Sequence, residues 1–204
     1  MAETTGFDFA KNIRQALGDQ QLRKNFKFAM GSMIQKRRLV FADADEFEQL
    51  RAVGRAIRAR ALAKLPELLA QLEARCTANG IQVHWAETTA EANTTVLEIM
   101  QRHGATRMVK GKSMVSEEMH LNRFLEARGI EVTETDLGEF NIQLAGETPS
   151  HIIVPAIHKN KEQIARLFHE KIPDTPYTEK VEELNAIARR TLRRKFFDGQ
   201  VGLS

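Results

Sequence analysis

The chain has 204 residues, of which 42% are hydrophobic and 28% are charged, and its net charge is +3. This length and composition can supply the core of one α/β domain together with an accessory segment. The sequence has no run of about eighteen apolar residues and does not start like a signal peptide, so we expect no membrane span and a cytoplasmic location.

Cysteine and histidine usage limits the metal chemistry that these residues can support. Cys76 is the only cysteine, so the chain alone cannot form an intramolecular disulfide or a cluster held by four thiolates. The six histidines show no His-Glu-x-x-His spacing. We therefore predict no metal site within this chain.

The first eighty residues place apolar side chains at helical spacing, which predicts a helical amino-terminal extension over residues 1–80. Asp43 with Glu46 is a capping pair that predicts the start of one helix. Pro66 suits the first turn of another. This part of the chain is therefore expected to consist of consecutive helices.

The same extension carries the basic excess, with 14 Lys/Arg against 9 Asp/Glu. Side chains such as Arg51, Arg55 and Arg58 form either a solvated helix face or a docking face for an acidic partner. Aromatic residues interleaved for base stacking are not evident there, so we predict no binding of nucleic acid.

From residue 81 onward, short apolar runs alternate with helical patterns, which predicts an α/β domain with a mostly parallel sheet over residues 81–204. The predicted strands are 81–85, 107–109, 130–132, 152–154 and 200–204. Thr88 with Glu91 predicts a capped helix after the first of them. Because the last strand has no continuation, we expect this domain to be truncated at its carboxyl end.

Polar and charged residues follow three of the predicted strands, at 110–113, 134–139 and 155–159. The carboxyl ends of parallel strands lie at one edge of a sheet, where open α/β folds bind their ligands. We therefore expect the three clusters to come together in one site.

The first cluster predicts binding of a phosphate or a small carboxylate. Two lysines lie where a strand passes through Gly111 into the amino end of a helix, a position that favours anions. The predicted anion-binding residues are Lys110, Lys112 and Ser113 of this cluster, together with Lys159 of the third cluster. The alternative is a solvated loop whose lysines pair with Glu117 and Glu118.

The other two clusters contain the candidates for proton transfer. Neighbouring carboxylates raise one another's pKa, and a histidine at a strand end exchanges protons near neutral pH. The predicted catalytic residues are Glu134, Asp136, Glu139 and His158. The alternatives are a capping or surface role for Asp136 and a capping role for His158. No Ser-His-Asp order or nucleophile elbow can be assigned, so a hydrolase is poorly supported.

Three longer segments carry a resemblance to a known family. The chain reads KGKSMVSEE at 110–118, ETDLGE at 134–139 and PSHIIVPAIHKNKEQI at 149–164. Together with Arg37-Arg38-Leu39 and Arg193-Arg194-Lys195-Phe196, these segments closely resemble the lactate-utilisation protein B family. Its members are iron-sulfur subunits of a bacterial L-lactate oxidation system and contain the LUD domain.

The resemblance implies a fold similar to the NagB, ribose-phosphate isomerase and CoA-transferase group, preceded by a helical extension. It also implies a continuation that is absent here, with a cysteine-rich, ferredoxin-like region holding two [4Fe-4S] clusters. We therefore expect no cofactor in this chain and partnership with other subunits of a lactate-oxidation complex. The family motifs carry no residue roles that can be transferred.

Three functional hypotheses remain open at this point. In the first, the chain is the amino-terminal part of an iron-sulfur electron-transfer subunit of an L-lactate dehydrogenase complex and is inactive alone. In the second, it is a non-catalytic binding or assembly module that docks partner subunits. In the third, it is an anion-binding domain like a CoA-transferase or an isomerase, a fold analogy that does not establish function.

Overall fold

The computed structural model describes residues 8–204, and the chain divides into two compact units. One unit comprises the residues up to Met30 together with Asn93–Ser204, and the other comprises Gly31–Ala92. The start of the sequence, where we looked for a signal peptide, lies outside the described residues. No helix within residues 8–204 is long and apolar enough to cross a membrane.

Four consecutive helices confirm the helical amino-terminal region. They are α1 (Phe9–Gly18), α2 (Gln20–Val40), α3 (Ala44–Ala63) and α4 (Leu65–Ala78). Asp43 caps α3, because its Oδ1 accepts hydrogen bonds from the backbone N-H groups of Asp45 and Glu46 at 2.9 and 3.0 Å. Pro66 lies in the first turn of α4, as predicted.

The predicted strand at 81–85 is wrong, since these residues form neither a helix nor a strand. Their start is tied to α4 instead: the Ile81 N-H donates to the Cys76 carbonyl at 2.9 Å. Trp85 Nε1 also donates to Glu73 Oε1 of that helix at 3.0 Å. An alternating pattern does not make a strand unless a neighbouring strand supplies the ladder hydrogen bonds.

The α/β part begins with α5 (Thr89–Arg102), which starts at the predicted capping box of Thr88 and Glu91. Three parallel strands follow, namely β1 (Arg107–Lys110), β2 (Glu131–Glu134) and β3 (Val201–Leu203). Their order in the sheet is β2-β1-β3. The predicted α/β class with a parallel sheet is therefore confirmed.

The single helix expected between β1 and β2 is divided in two. It consists of α6 (Met114–Glu118) and α7 (Leu121–Glu126), and His120 between them has a φ of 53°. A left-handed residue interrupts the helical hydrogen bonds, so the helix restarts after it. The hydrophobic core beside these elements contains Met100, Ala105, Met108, Leu121, Leu125, Ile130 and Val132.

Three further helices lead from β2 to β3. They are α8 (Leu137–Ala145), α9 (Lys161–Lys171) and α10 (Val181–Asp198). Their shared hydrophobic core contains Phe140, Ala165, Phe168, Ile172, Leu184, Ile187 and Ala188. Asn160 and Gln163 form a complete capping box at the start of α9. This core is separate from the one beside α7.

The predicted strand at 152–154 is also wrong, since Ile152 and Ile153 form bends and Val154 has no regular secondary structure. The ring of His151 takes two of the amide donors that a strand would need. Its Nδ1 accepts from the N-H groups of Ile153 and Val154 at 3.1 and 3.2 Å. A local side-chain acceptor has thus replaced the sheet partner.

Residues 149–159 instead form a loop between α8 and α9, here called the 149–159 loop. Its Pro155 is buried, and a methyl group added to Gly138 of α8 would lie 3.0 Å from Pro155 Cδ. Asn25 Nδ2 donates to the His158 carbonyl at 2.6 Å. The loop is therefore fastened to α8 at the first of these points and to α2 at the second.

Gly199, which connects α10 to β3, should not tolerate a side chain. An added Cβ would lie 2.8 Å from Val109 Cγ1 in β1. We expect Gly199→Ala to lower the free energy of unfolding by about 1–3 kcal/mol through overpacking, measured by urea titration. Gly202→Ala is the matched control because open space surrounds that position. Equal effects of the two substitutions would contradict this account.

Candidate functional site

The site is built around Lys110, the last residue of β1. Lys110 is paired in register with Glu134, the last residue of β2, and the two side chains project from the same face of the sheet. Lys110 is completely buried, and its Nζ lies 2.6 Å from Glu134 Oε1 and 3.2 Å from Glu117 Oε1 of α6. The parallel register thus creates a buried ion pair at the carboxyl edge of the sheet.

Two amides hold Glu134 in place. Asn122 Nδ2 of α7 donates to Glu134 Oε1 at 2.6 Å. Gln143 of α8 accepts the Glu134 backbone N-H at 3.0 Å and donates to the Val132 carbonyl at 2.7 Å. The Gln143 amide therefore takes the place of a neighbouring strand along the outer edge of β2.

A second ion pair lies beside the first. Lys112 Nζ is 3.2 Å from Oε1 of Glu139, which is buried in the first turn of α8. Asp136 caps this helix, since its Oδ1 accepts from the N-H groups of Gly138 and Glu139 at 3.0 and 3.1 Å. Asp136 thus orients Glu139 and uses one carboxylate oxygen to do so.

Glu117, Glu134 and Glu139 form what we call the carboxylate cluster, with one oxygen from each lying within 4.8 Å of the others. Within the described residues, Oε2 of Glu134 and Oε2 of Glu139 are buried and have no hydrogen-bond partner. Lys110 and Lys112 already supply positive charge to the cluster. Protonation of Glu134 would reduce the repulsion within the cluster and would give this carboxyl group a hydrogen to donate.

The electrostatics favour proton exchange at this position. Burial raises the pKa of Glu134 to about 7, although hydrogen bonds from Lys110 and Asn122 oppose the shift. Burial also disfavours the Lys110 ammonium, but hydrogen bonds and charges from Glu134 and Glu117 outweigh it and raise the Lys110 pKa. The site therefore combines a lasting positive charge with a carboxyl group that titrates near neutral pH.

A second polar group lies in the 149–159 loop. His158 Nδ1 is 2.5 Å from Ser150 Oγ, and His158 Nε2 is 2.7 Å from Glu147 Oε2. We call these three residues the loop triad. Lys159 Nζ contacts the other Glu147 oxygen at 2.7 Å. Burial opposes the Glu147 charge, but hydrogen bonds from His158 and Lys159 outweigh it and lower the pKa of Glu147.

A cavity of about 170 Å³ connects the two groups. Glu117 and Glu139 of the carboxylate cluster line one part of it, and Ser150 and His151 line another. Apolar walls come from Met114, Pro149 and Ile152. A small molecule in this cavity would contact Glu117, Glu139 and Ser150 together.

The predicted site residues are only partly brought together. Lys110, Lys112, Glu134 and Glu139 meet in the carboxylate cluster and its ion pairs, whereas His158 and Lys159 belong to the loop triad and its ion pair. Asp136 and Ser113 act as helix caps, Ser113 Oγ accepting from the Ser116 N-H at 3.3 Å. The alternative of a solvated loop is wrong because Lys110 is completely buried; its pairing with Glu117 is present, whereas Lys112 pairs with Glu139. Ligand binding and catalysis by these residues remain predictions.

The sequence analysis assigned no role to four residues that build the site: Asn122, Gln143, Glu147 and Ser150. Asn122 and Gln143 lie inside helices, where no motif distinguishes them from surface amides. Glu147 and Ser150 stand within twelve residues of His158 and could have been proposed as its partners. The strand expected at 152–154 separated them from His158 instead.

Replacing Lys110 should be costly because its partners would keep buried charges without a counterion. We expect Lys110→Met to lower the free energy of unfolding by about 3–5 kcal/mol. Adding Glu134→Leu should recover part of that loss. Lys195→Met is the control, since Lys195 and its partner Glu131 are exposed and the loss should stay below about 1 kcal/mol. Chemical denaturation of the four proteins would test this, and equal losses at Lys110 and Lys195 would contradict it.

Glu134 should make stability depend on pH. The ordinary pKa of a glutamate is 4.5, and burial raises the pKa of Glu134 in the folded chain to about 7. Folding is therefore more favourable when Glu134 is protonated. This contribution is complete below pH 4.5 and is lost as the pH rises towards 7. Across that window we expect the wild type to lose up to about 3 kcal/mol relative to Glu134→Gln. Denaturant titrations at several pH values measure the difference, with Glu118→Gln as the matched control at an exposed position. A constant difference would refute the assignment.

Comparisons with known proteins identify the α/β part. The family model described as the LUD domain matches residues 69–204. Lactate utilization protein B of Bacillus subtilis is 37% identical over the whole chain, and that of Anoxybacillus flavithermus is 42% identical over 97% of it. An uncharacterized electron transport protein of Escherichia coli, YkgF, is 36% identical over 99% of the chain. No solved structure matches.

The length of these relatives places a limit on the comparison. The chain spans 43% of the Bacillus subtilis protein and 42% of each of the other two. The match to the family model nevertheless covers more than half of the chain and includes the entire carboxylate cluster and loop triad. The chain therefore belongs to the LUD domain family.

Proposed function

We propose that the protein carrying this chain acts in lactate utilisation, as an iron-sulfur electron-transfer subunit of a complex that oxidises L-lactate to pyruvate. The observation that carries the proposal is the 36–42% identity, across nearly the whole chain, to proteins named for lactate utilisation and electron transport. The partners are the other subunits of the complex, and the location is the cytoplasm.

The iron-sulfur clusters in this proposal belong to the part of the protein outside these residues. A [4Fe-4S] cluster needs four thiolates, and Cys76 is the only cysteine of the chain. The donor set present therefore does not fit a cluster, and no electron-transfer step is assigned to these residues. The relatives, more than twice as long as this chain, leave room for such a region.

The LUD domain then contributes binding and proton exchange. A cavity of about 170 Å³ suits a molecule with few heavy atoms, such as a small carboxylate. Lys112 is the less buried of the two site lysines, with 29% of its side chain exposed, and is the better placed to meet a carboxylate that enters from solvent. Glu134 supplies a proton acceptor near neutral pH.

Growth on lactate tests the proposed role. We expect deletion of the gene that encodes the whole protein to abolish growth on L-lactate and to leave growth on pyruvate unchanged. The wild-type gene should restore growth, whereas a gene carrying Lys112→Ala with Glu139→Gln should restore it poorly. A gene carrying Lys195→Met, which changes an exposed lysine, is the control. Normal growth of the deletion strain on lactate would refute the role.

The iron-sulfur assignment needs a separate measurement. Whole protein purified without oxygen should contain iron and sulfide and give a cluster signal in electron paramagnetic resonance after reduction. We expect lactate to reduce this iron-sulfur cluster only when the partner subunits are present. Protein without iron would contradict the electron-transfer role and leave the role in lactate growth to be judged by the deletion strain.

A second role, in assembly, is favoured by the surface of α3. Leu50, Val53 and Ile57 are each more than half exposed, and no residue of this helix is buried. Arg51, Arg55 and Arg58 lie among them. In this role the helix docks an acidic partner subunit. Reversing the three arginine charges should abolish co-purification of that subunit, and unchanged co-purification would refute the role.

A further inference from the structure

The loop triad has the connectivity of a nucleophilic serine site. A carboxylate can only accept a hydrogen bond, so Glu147 Oε2 requires the proton of His158 to be on Nε2. The neutral ring then offers Nδ1 as an acceptor to the Ser150 hydroxyl, 2.5 Å away. A serine bonded to a base that is itself oriented by a carboxylate is the arrangement that activates hydroxyl nucleophiles.

We propose that Ser150 is an activated nucleophile that accepts the acyl group of a small ester or thioester, with His158 as its base and Glu147 as the residue that orients His158. This activity is separate from lactate oxidation and does not depend on it. It is also one that the order of residues in the sequence did not predict.

The hydrogen bonds around Ser150 favour a chemical role for its hydroxyl group over a role in holding the loop in place. The backbone already secures the loop near Ser150, because the Ser150 N-H donates to the Pro155 carbonyl at 3.1 Å and Pro155 is buried. The His151 ring holds the next turn through two further bonds. The Ser150 hydroxyl is not needed for either contact.

His158, the base of the triad, is shielded from solvent, and its partner Glu147 is held in the charged form. The His158 side chain is only 12% exposed. Lys159 binds the second oxygen of Glu147 at 2.7 Å, which keeps that carboxylate ionised and in position. An ionised Glu147 stabilises the imidazolium that forms when His158 takes a proton.

Ser150 also lines the cavity, which gives an acyl group a place to bind. The wall carboxylates of Glu117 and Glu139 do not face the cavity as uncompensated charges, because Lys110 and Lys112 pair with them. The Lys112 ammonium lies 3.2 Å from the wall residue Glu139 and 3.5 Å from the Ile153 carbonyl of the loop, and in this proposal it stabilises the oxyanion of a tetrahedral intermediate. The small volume restricts the acyl group to a few heavy atoms.

The chemical step balances within the residues present. Ser150 Oγ forms a bond to the acyl carbon while its proton moves to His158 Nδ1. The bond from that carbon to the leaving oxygen or sulfur breaks, and His158 returns the proton to release an alcohol or a thiol. Water then attacks the acyl carbon and gives a proton to His158. The bond from that carbon to Ser150 Oγ breaks, and His158 returns the proton to Oγ, which releases a carboxylic acid and restores Ser150.

Covalent labelling of the whole protein tests the proposal without lactate or partner subunits. A fluorophosphonate should lose fluoride and form one adduct, which peptide mass spectrometry should locate at Ser150. We expect the labelling rate to fall at least about 100-fold in Ser150→Ala and in His158→Gln, and roughly tenfold in Glu147→Gln. Ser32→Ala, which removes an exposed serine of α2, is the control and should label like the wild type.

A second variant covers the case in which a triad substitution disturbs the loop. Ser150→Cys should react with iodoacetamide faster than Cys76, and the added substitution His158→Gln should remove that advantage. p-Nitrophenyl acetate should be hydrolysed by the wild type and not by Ser150→Ala. No adduct at Ser150, or a labelling rate that His158→Gln leaves unchanged, would overturn the proposal.

Discussion

The ion pair between Lys110 and Glu134 is the interaction on which the site depends. Both side chains are buried, so either one alone would be an uncompensated charge in a medium that solvates it poorly. A shift of one residue in the strand register would place the two charges on opposite faces of the sheet. A wrong register of β1 and β2 would therefore be destabilised by two unpaired buried charges. In the correct register, Glu117, Asn122 and Glu139 lie around the ion pair.

The cavity lies between two polar groups that have different origins. The carboxylate cluster comes from the sheet edge and the helices beside it, whereas the loop triad comes from an irregular segment fastened by Pro155 and the His158 carbonyl. The first group contains a buried, ion-paired carboxyl group whose pKa is raised by burial to about 7, and the second contains a hydroxyl bonded to an imidazole. Residues of both groups line the same cavity.

Membership of the LUD domain family gives this arrangement a biological context. Relatives of more than twice the length are named for lactate utilisation, while the matched part contains one cysteine and a polar cavity. The proposed division of labour agrees with that chemistry: thiolate-bound redox centres need cysteines, whereas the carboxylates, lysines and histidine found here suit substrate binding and proton transfer.

Local patterns were sufficient to predict the helical amino-terminal region, the caps at Asp43 and Thr88, and the strands at β1, β2 and β3, because each depends on neighbouring residues or on one buried face. Sequence analysis also found the residues of the first two polar clusters. It failed at 81–85 and 152–154, where apolar alternation lacked a partner strand and where the His151 ring captured the backbone donors. It also could not show that Lys110 is neutralised by Glu134, or that Ser150, His158 and Glu147 are bonded in a row. Those contacts arise from strand register and loop docking, which bring together residues that are separated in the chain. Such contacts produce no periodic pattern in the sequence.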